Sequence, residues 1–219
     1  VKEIPVLYEN DEIYIINKPT GISVQGGQGI SHPLDEEFAK ITGRKVYLVH
    51  RLDKDTCGLM IIAKTPQAAS KWTKLIGSKQ VQKEYVTYCF GKLNKSKGVI
   101  NDTLVQHGET KNAVTEYFVE KVFDIAFPPT EDRPEPKNIT VSKVHLLLQT
   151  GRMHQIRIHL SKNNCPIIGD DQHGNFKLNK LLKKELKIKN MLLCAKKLTV
   201  PLDGCNKVFE VDFEVPFES

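Results

Sequence analysis

Asp53 is the residue whose type and setting most suggest chemistry. It stands in the charged stretch HRLDKDTCG, residues 50–58, between two apolar, β-favouring runs at 46–49 and 59–63. A carboxylate held in a loop between buried strands can serve as nucleophile, general base or metal ligand. The same residue type in a loop also commonly caps a turn, and on residue type alone both readings stay open. Arg51 precedes it by two positions and Asp55 follows it by two. His50 has no cysteine or carboxylate at metal-ligand spacing, so it reads as structural. The five cysteines, Cys57, Cys89, Cys165, Cys194 and Cys205, are odd in number and contain no C-x-x-C. That argues against a disulfide framework and a zinc site, and for reduced thiols mostly buried in strands. Gly26, Gly27 and Gly29 invite a phosphate-cradle reading. Neither G-x-x-x-x-G-K-[ST] nor a full G-x-G-x-x-G is present, so a flexible loop is the better account.

The elements that must position Asp53 follow from hydrophobic period. A first strand region covers 5–16, and NKPTG at 17–21 is a turn. Leu34, Phe38 and Ile41 fall at helical spacing in 32–42. Thr65-Pro66 opens a second helix, with Thr as N-cap and Pro at the first helical position. Its apolar face is Ala68, Ala69, Trp72, Leu75 and Ile76, which makes Trp72 a core residue rather than a base-stacking platform. Residues 83–90 are nearly all β-formers. Further short strands are expected over 99–123, including 114–118. The proline-rich, acidic FPPTEDRPEP at 127–136 is a surface hairpin loop leading to a strand at 139–148. Residues 154–162 are helical, with Ile156, His159 and Leu160 on one face and Arg157 near its edge. A short strand at 166–168, a helix at 175–188 with Leu178, Leu181, Leu182 and Leu186 inward, and a strand at 192–200 follow. Asp203-Gly204 signals a turn. Phe209, Val211, Phe213 and Val215 then alternate with acidic residues, as in a half-buried strand. Many strands and few helices give an α+β fold: a single domain with a mixed, largely antiparallel sheet flanked by helices and loops.

The chain has 219 residues, 40% hydrophobic and 26% charged, with a formal net charge of +6. That composition is ordinary for a globular chain, and the length supports a sizeable core. The moderate basic excess is compatible with a nucleic-acid partner. No apolar run approaches the roughly 20 residues that span a membrane. No signal peptide, internal repeat or low-complexity tract is visible.

Four segments together make a specific pattern. HRLDKDTCGLMIIAKT closely resembles the HRLDxxTSGLLLLAKT signature of the RluA-type RNA pseudouridine synthases. DEIYIINKPTGISVQGG, KEY at 83–85 and LLLQTGRMHQIRIHL resemble that family's other motifs, in the same order. The match runs from about Tyr8 to about Pro201. Cys57 replaces the usual Ser, Met153 the usual Thr, and Gln25 the His that usually precedes the Gly-Gly pair. The first two changes remove no catalytic group, and the third weakens any specific role for position 25.

The resemblance implies one catalytic domain over residues 1–219, its sheet surrounded by helices and loops at a catalytic cleft. It implies isomerisation of specific uridines in RNA to pseudouridine, a reaction needing no metal, nucleotide or redox cofactor. Asp53 matches the essential aspartate, the nucleophile. Tyr85 matches the tyrosine that lies against the uracil and helps proton transfer; otherwise it is an ordinary strand tyrosine. Arg157 matches the arginine that pairs with the aspartate; otherwise it is a helix-surface arginine. Arg51 matches an arginine tied to RNA contact and base flipping; the alternative is a structural ion pair. His154, Gln155 and His159 are read as packing residues.

Eight lysines and one glutamate lie between 177 and 197. Of these, Lys183, Lys184 and Lys187 are candidate phosphate contacts, with a solvated helix face as the equal alternative. Large-subunit ribosomal RNA is the first choice of substrate, because the Gly-Gly loop and IIGDDQHGNFKLNK resemble the ribosomal members of the family. The alternatives are a transfer-RNA pseudouridine synthase and a non-catalytic RNA-binding protein on the same fold. A glycosidase is a further rival, but it needs two catalytic carboxylates, and the resemblance gives Asp55 no such role. The chain is expected to be a cytoplasmic monomer with no membrane partner, lacking the small N-terminal RNA-binding domain of many ribosomal members.

Overall fold

A computed structural model describes residues 3–27, 29–106 and 108–217. In chain order the elements are β1 (Val6–Glu9), β2 (Ile13–Lys18), α1 (Leu34–Thr42), β3 (Tyr47–Leu48), β4 (Cys57–Ala63), α2 (Pro66–Gly77) and β5 (Gln82–Phe90). They continue with β6 (Lys97–Gln106), β7 (Glu109–Phe127), β8 (Lys137–Leu148), α3 (Gln155–Lys162), α4 (Phe176–Leu186), β9 (Leu193–Leu202) and β10 (Cys205–Glu210). The architecture is mixed α+β. The chain divides into two compact units, residues 1–85 with 194–213 and residues 86–193 with 214–219.

The first unit holds β1, β2, β4 and β9 in that spatial order, with β3 paired to β4 and β10 to β9. All these pairings are antiparallel except β4 with β9, where Cys57 faces Cys194 and Gly58 faces Ala195 in parallel. β2 and β4 are apolar almost without interruption because both sheet faces are covered. Ile13, Ile15, Leu59, Ile61 and Ala63 pack with Ala68 and Trp72 of α2 and with Leu198 and Val200 of β9. Helix α2 starts as its sequence requires: the Thr65 hydroxyl accepts from Ala68 N at 3.1 Å, with Pro66 at the first helical position. Trp72 is core, and its indole Nε1 donates to Glu12 at 3.0 Å. Asp203 and Gly204 both take positive φ between β9 and β10, as a tight hairpin with right-handed twist demands.

The second unit contains β8, β7 and β6 in that order, with antiparallel pairing throughout. FPPTEDRPEP joins β7 to β8, closed by a Thr130–Arg133 bridge. The expected short strands over 99–123 are instead two long ones, β6 of 10 residues and β7 of 19. A shift of register between Val119 and Lys121 bends β7 without ending it. Local propensity does not fix strand length; pairing along both edges of β7 does. Residues 166–168 form only a single bridge, Ile167 to Cys89. Ile41 is exposed rather than buried on α1, because the helix rests on Leu34 and Phe38 and ends at Gly43. On α4 only Leu182 is fully buried. Val211 and Val215 are buried as their alternation requires, although regular strand ends at Glu210.

Candidate active site

The loop carrying Asp53 is fastened from three sides within the first unit. His50 Nε2 accepts the amide of Ile61 at 2.9 Å, tying the loop's start to β4. Burial, aided by the charge of Lys83, holds this imidazole well below its usual pKa, so it is neutral with its proton on Nδ1. The structural reading of His50 therefore stands. The turn after β2 fastens the other side. Lys18 is 0% exposed, and its ammonium donates to the carbonyls of Pro19 (3.0 Å), Ile22 (2.9 Å) and Lys54 (3.0 Å). Gly21 N also donates to Lys54 O at 2.9 Å, and the Thr20 hydroxyl to Asp55 O at 2.9 Å. Thr56 N closes the loop on Asp53 O at 3.1 Å. Buried cations need several acceptors, and here the carbonyls of two loops are those acceptors. Lys18 is thus a positioning residue that the sequence analysis missed. Its signal was a lysine ending the apolar strand IYIINK.

Gly58 fixes the third side, the exit into β4. Its φ is +110°, and a Cβ there would lie 2.3 Å from Ala195 O. Only glycine allows the loop to pass this close to β9. Asp53 itself is half-buried, and Arg51 is exposed.

Tyr85, on β5, is buried in the same unit. Burial raises the pKa of its phenol strongly; the charges of Asp53 and Cys194 push it further in the same direction. The hydroxyl therefore keeps its proton at neutral pH and is near enough to Asp53 to feel its carboxylate. Two of the three candidate catalytic residues are in this way brought into one electrostatic neighbourhood. Lys83, two residues earlier, has its pKa lowered by burial.

Arg157 belongs to the second unit. The sequence placed it at the edge of an apolar helix face; it is in fact buried at 4% exposure. Its Nε donates to Asp170 Oδ2 at 2.8 Å and its Nη2 to Asp170 Oδ1 at 2.7 Å, with Asp171 3.5 Å from Nη2. This is the two-pronged geometry that suits a guanidinium and a carboxylate. Burial pushes the Asp170 pKa up, but Arg157 and the amides of His173 and Gln172 outweigh it and hold the carboxyl below its ordinary value. Asp170 was not anticipated. A buried arginine requires a carboxylate, yet nothing in IIGDDQHG says which helix its aspartates will meet.

The packing residues of the last motif behave as expected. Gln155 uses its whole amide. It donates to Val114 O and the Thr115 hydroxyl, and it accepts from the Thr150 hydroxyl and Arg152 N. His159 contacts the Thr115 hydroxyl at 3.0 Å. His154, at φ +52°, caps α3 and contacts His173 at 3.1 Å.

The three candidate phosphate-binding lysines are exposed at the C-terminal part of α4 and just beyond it. Lys184 pairs with Asp132 at 2.6 Å, and Lys187 donates to the Lys184 carbonyl at 2.9 Å. Lys183 differs: it lines a cavity between α4 and residues 168–171. No group of three or more His, Cys, Asp or Glu side chains is arranged to hold a metal among the described residues. Among the same residues, no helix is long and apolar enough to cross a membrane.

Residues 12–162 match the family model described as RNA pseudouridylate synthase. The "Ribosomal large subunit pseudouridine synthase C" of Rickettsia bellii (strain RML369-C) is 33% identical over 212 residues, covering 88% of this chain and 64% of that protein. The "Ribosomal large subunit pseudouridine synthase D" of Blochmanniella floridana is 31% identical over 196 residues, covering 86% and 60%. The chain thus spans somewhat under two thirds of the length of these curated relatives. Among solved structures, "Human RNA Pseudouridylate Synthase Domain Containing 4" superposes with a TM-score of 0.71 at 24% identity, covering 95% of this chain and 88% of that one. That superposition speaks to the fold alone.

Proposed function

The chain belongs to the RNA pseudouridylate synthase family, and from that premise we propose that it isomerises specific uridines in RNA to pseudouridine, with large-subunit ribosomal RNA as the substrate class. The ribosomal names of its relatives support that substrate over transfer RNA. The observation that carries the reading is the setting of Asp53: a carboxylate on a loop pinned by Lys18, Thr20 and His50, close to a buried, protonated Tyr85. A non-catalytic RNA-binding protein would have no need of that arrangement.

The reaction breaks the bond from ribose C1′ to uracil N1, turns the base, and joins C1′ to C5. The proton on C5 is lost and N1 gains one, so no atom enters or leaves. Asp53 is the nucleophile that holds the substrate between the two bonds. Tyr85 lies against the uracil, its retained proton suiting a donor rather than a base at neutral pH. Arg157 is the arginine that the family resemblance assigns to the aspartate, and Asp170 fixes its guanidinium by its Nε–Nη2 edge. Arg51, exposed on the same loop, contacts RNA and helps to extrude the target base, a step that costs roughly a few kcal/mol. Residues 1–219 act as one catalytic domain, a monomer working in the cytoplasm without a cofactor.

The test is pseudouridine mapping in RNA from cells with and without the gene, together with purified wild-type and Asp53→Asn protein on ribosomal RNA. Wild type should form pseudouridine without releasing free uracil, and the variant should form none while still binding RNA. Near-normal turnover by the variant would remove Asp53 from its role. A missing mark in transfer RNA alone would replace the substrate.

A further inference from the structure

Within the second unit, α4 and the segments 168–171 and 188–189 enclose a cavity of about 290 Å³. This is near the lower end of small-ligand pockets, roughly 300 Å³. Its floor is apolar, made by Ile168, Leu182 and Ile188. Phe176 stands at the rim, 60% exposed, where an aromatic ring would ordinarily be covered. Lys180 and Lys183 follow Phe176 by four and seven residues, so ring and both ammonium groups share one helix face. Lys189 adds a third cation from the segment beyond the helix. The carboxylate on the rim, Asp171, is directed to Arg157 at 3.5 Å. The two walls are tied together: Asn179 Oδ1 accepts from Gly169 N at 2.9 Å, and its Nδ2 donates to Asp170 O at 2.9 Å.

An apolar floor, an exposed aromatic ring and three clustered cations suit a ligand with a flat face and negative charge. We propose that this cavity binds one unpaired nucleotide of the substrate RNA, outside the reacting uridine, its base stacked on Phe176 and its phosphate held by Lys180, Lys183 and Lys189. The inference rests on the reading of the chain as an RNA-modifying enzyme. It also revises which lysines grip the backbone: Lys184 and Lys187 are engaged with Asp132 and a helix carbonyl, whereas Lys183 faces the cavity. The base would lie against the turn whose Asp170 holds Arg157, which links occupancy of the cavity to a residue of the proposed mechanism.

The experiment is Phe176→Trp fluorescence, titrated with a short unstructured RNA oligonucleotide, with binding followed in parallel by filter retention. Trp72, buried in the other unit, supplies the constant background. The indole at 176 should be quenched as RNA binds. Phe176→Ala should weaken binding about tenfold, as stacking on an aromatic ring does. Lys180, Lys183 and Lys189 changed together to Ala should lower the slope of log affinity against log salt by about 0.7, the value for one single-strand phosphate. RNA retained on the filter without quenching, or an unchanged salt slope, would overturn the assignment. All four side chains are exposed, so thermal melting should confirm intact folds. Quenching by RNA in a protein that forms no pseudouridine would sink the proposed activity and leave the nucleotide site standing.

Discussion

At the scale of single residues, the proposed chemistry depends on how a few charged groups are kept in or out of water. Asp170 is 1% exposed and Arg157 4%, so each needs the other. Asp170→Asn keeps the shape but removes the two-pronged counter-charge of a buried guanidinium, leaving the Asp171 carboxylate at 3.5 Å, and should cost about 1–3 kcal/mol of stability. The pH dependence has a definite sign. The folded pKa of Asp170 lies below its unfolded value, so its contribution is complete above about pH 4 and is lost as the pH falls through the folded value. Melting temperature should therefore fall in acid more steeply for wild type than for Asp170→Asn, as scanning calorimetry from pH 6 to pH 2 would show. Arg157→Lys keeps the charge but not the planar fork. Turnover should drop by at least tenfold under single-turnover conditions, with RNA affinity little changed. Arg157 was legible in the sequence as a motif residue, but its burial and its partner were not. Helical spacing reports which face a side chain leaves from, and says nothing of a carboxylate arriving from a later loop.

At the scale of elements, the Asp53 loop is shaped by its anchors more than by its own residues. Lys18→Met should fill nearly the same space while stranding the carbonyls of Pro19 and Ile22 and leaving Lys54 O with the Gly21 amide in place of two donors. The expected result is a loss of about 1–3 kcal/mol in chemical denaturation and a larger proportional fall in turnover than in RNA binding. An equal fall in both would mean that Lys18 supports the fold without positioning the loop. Gly58→Ala is harsher, since both its φ of +110° and the 2.3 Å approach to Ala195 O exclude a side chain. It should destabilise the protein by at least about 2 kcal/mol, read from the denaturation midpoint. Element types were largely visible from hydrophobic period and capping residues. Lengths were not: β7 runs to 19 residues because β6 and β8 pair along its two edges.

At the scale of the whole molecule, net charge and the absence of a metal-ligand cluster among the described residues frame two expectations. A chain of +6 should bind RNA with a marked salt dependence before any sequence preference shows. Pseudouridine formation should survive exhaustive EDTA treatment, as measured on metal-free RNA. Loss of activity restored by one particular metal would point to a site the proposed mechanism does not contain.

The sequence by itself determined the α+β class, most of the helices and strands, the membership signalled by four ordered motifs, and the candidacy of Asp53, Tyr85 and Arg157. These are local properties: period, turn chemistry and residue type are written within a few positions of one another. Tertiary structure alone decided what lies against what. It buried Lys18 beneath the Asp53 loop, set Asp170 against Arg157, brought Tyr85 within range of Asp53's charge, and turned Lys183 rather than Lys184 toward a cavity. Each of these joins residues far apart along the chain or depends on which side of an element meets a neighbour. Such contacts are selected by the total free energy of packing and desolvation, which no short stretch of sequence carries.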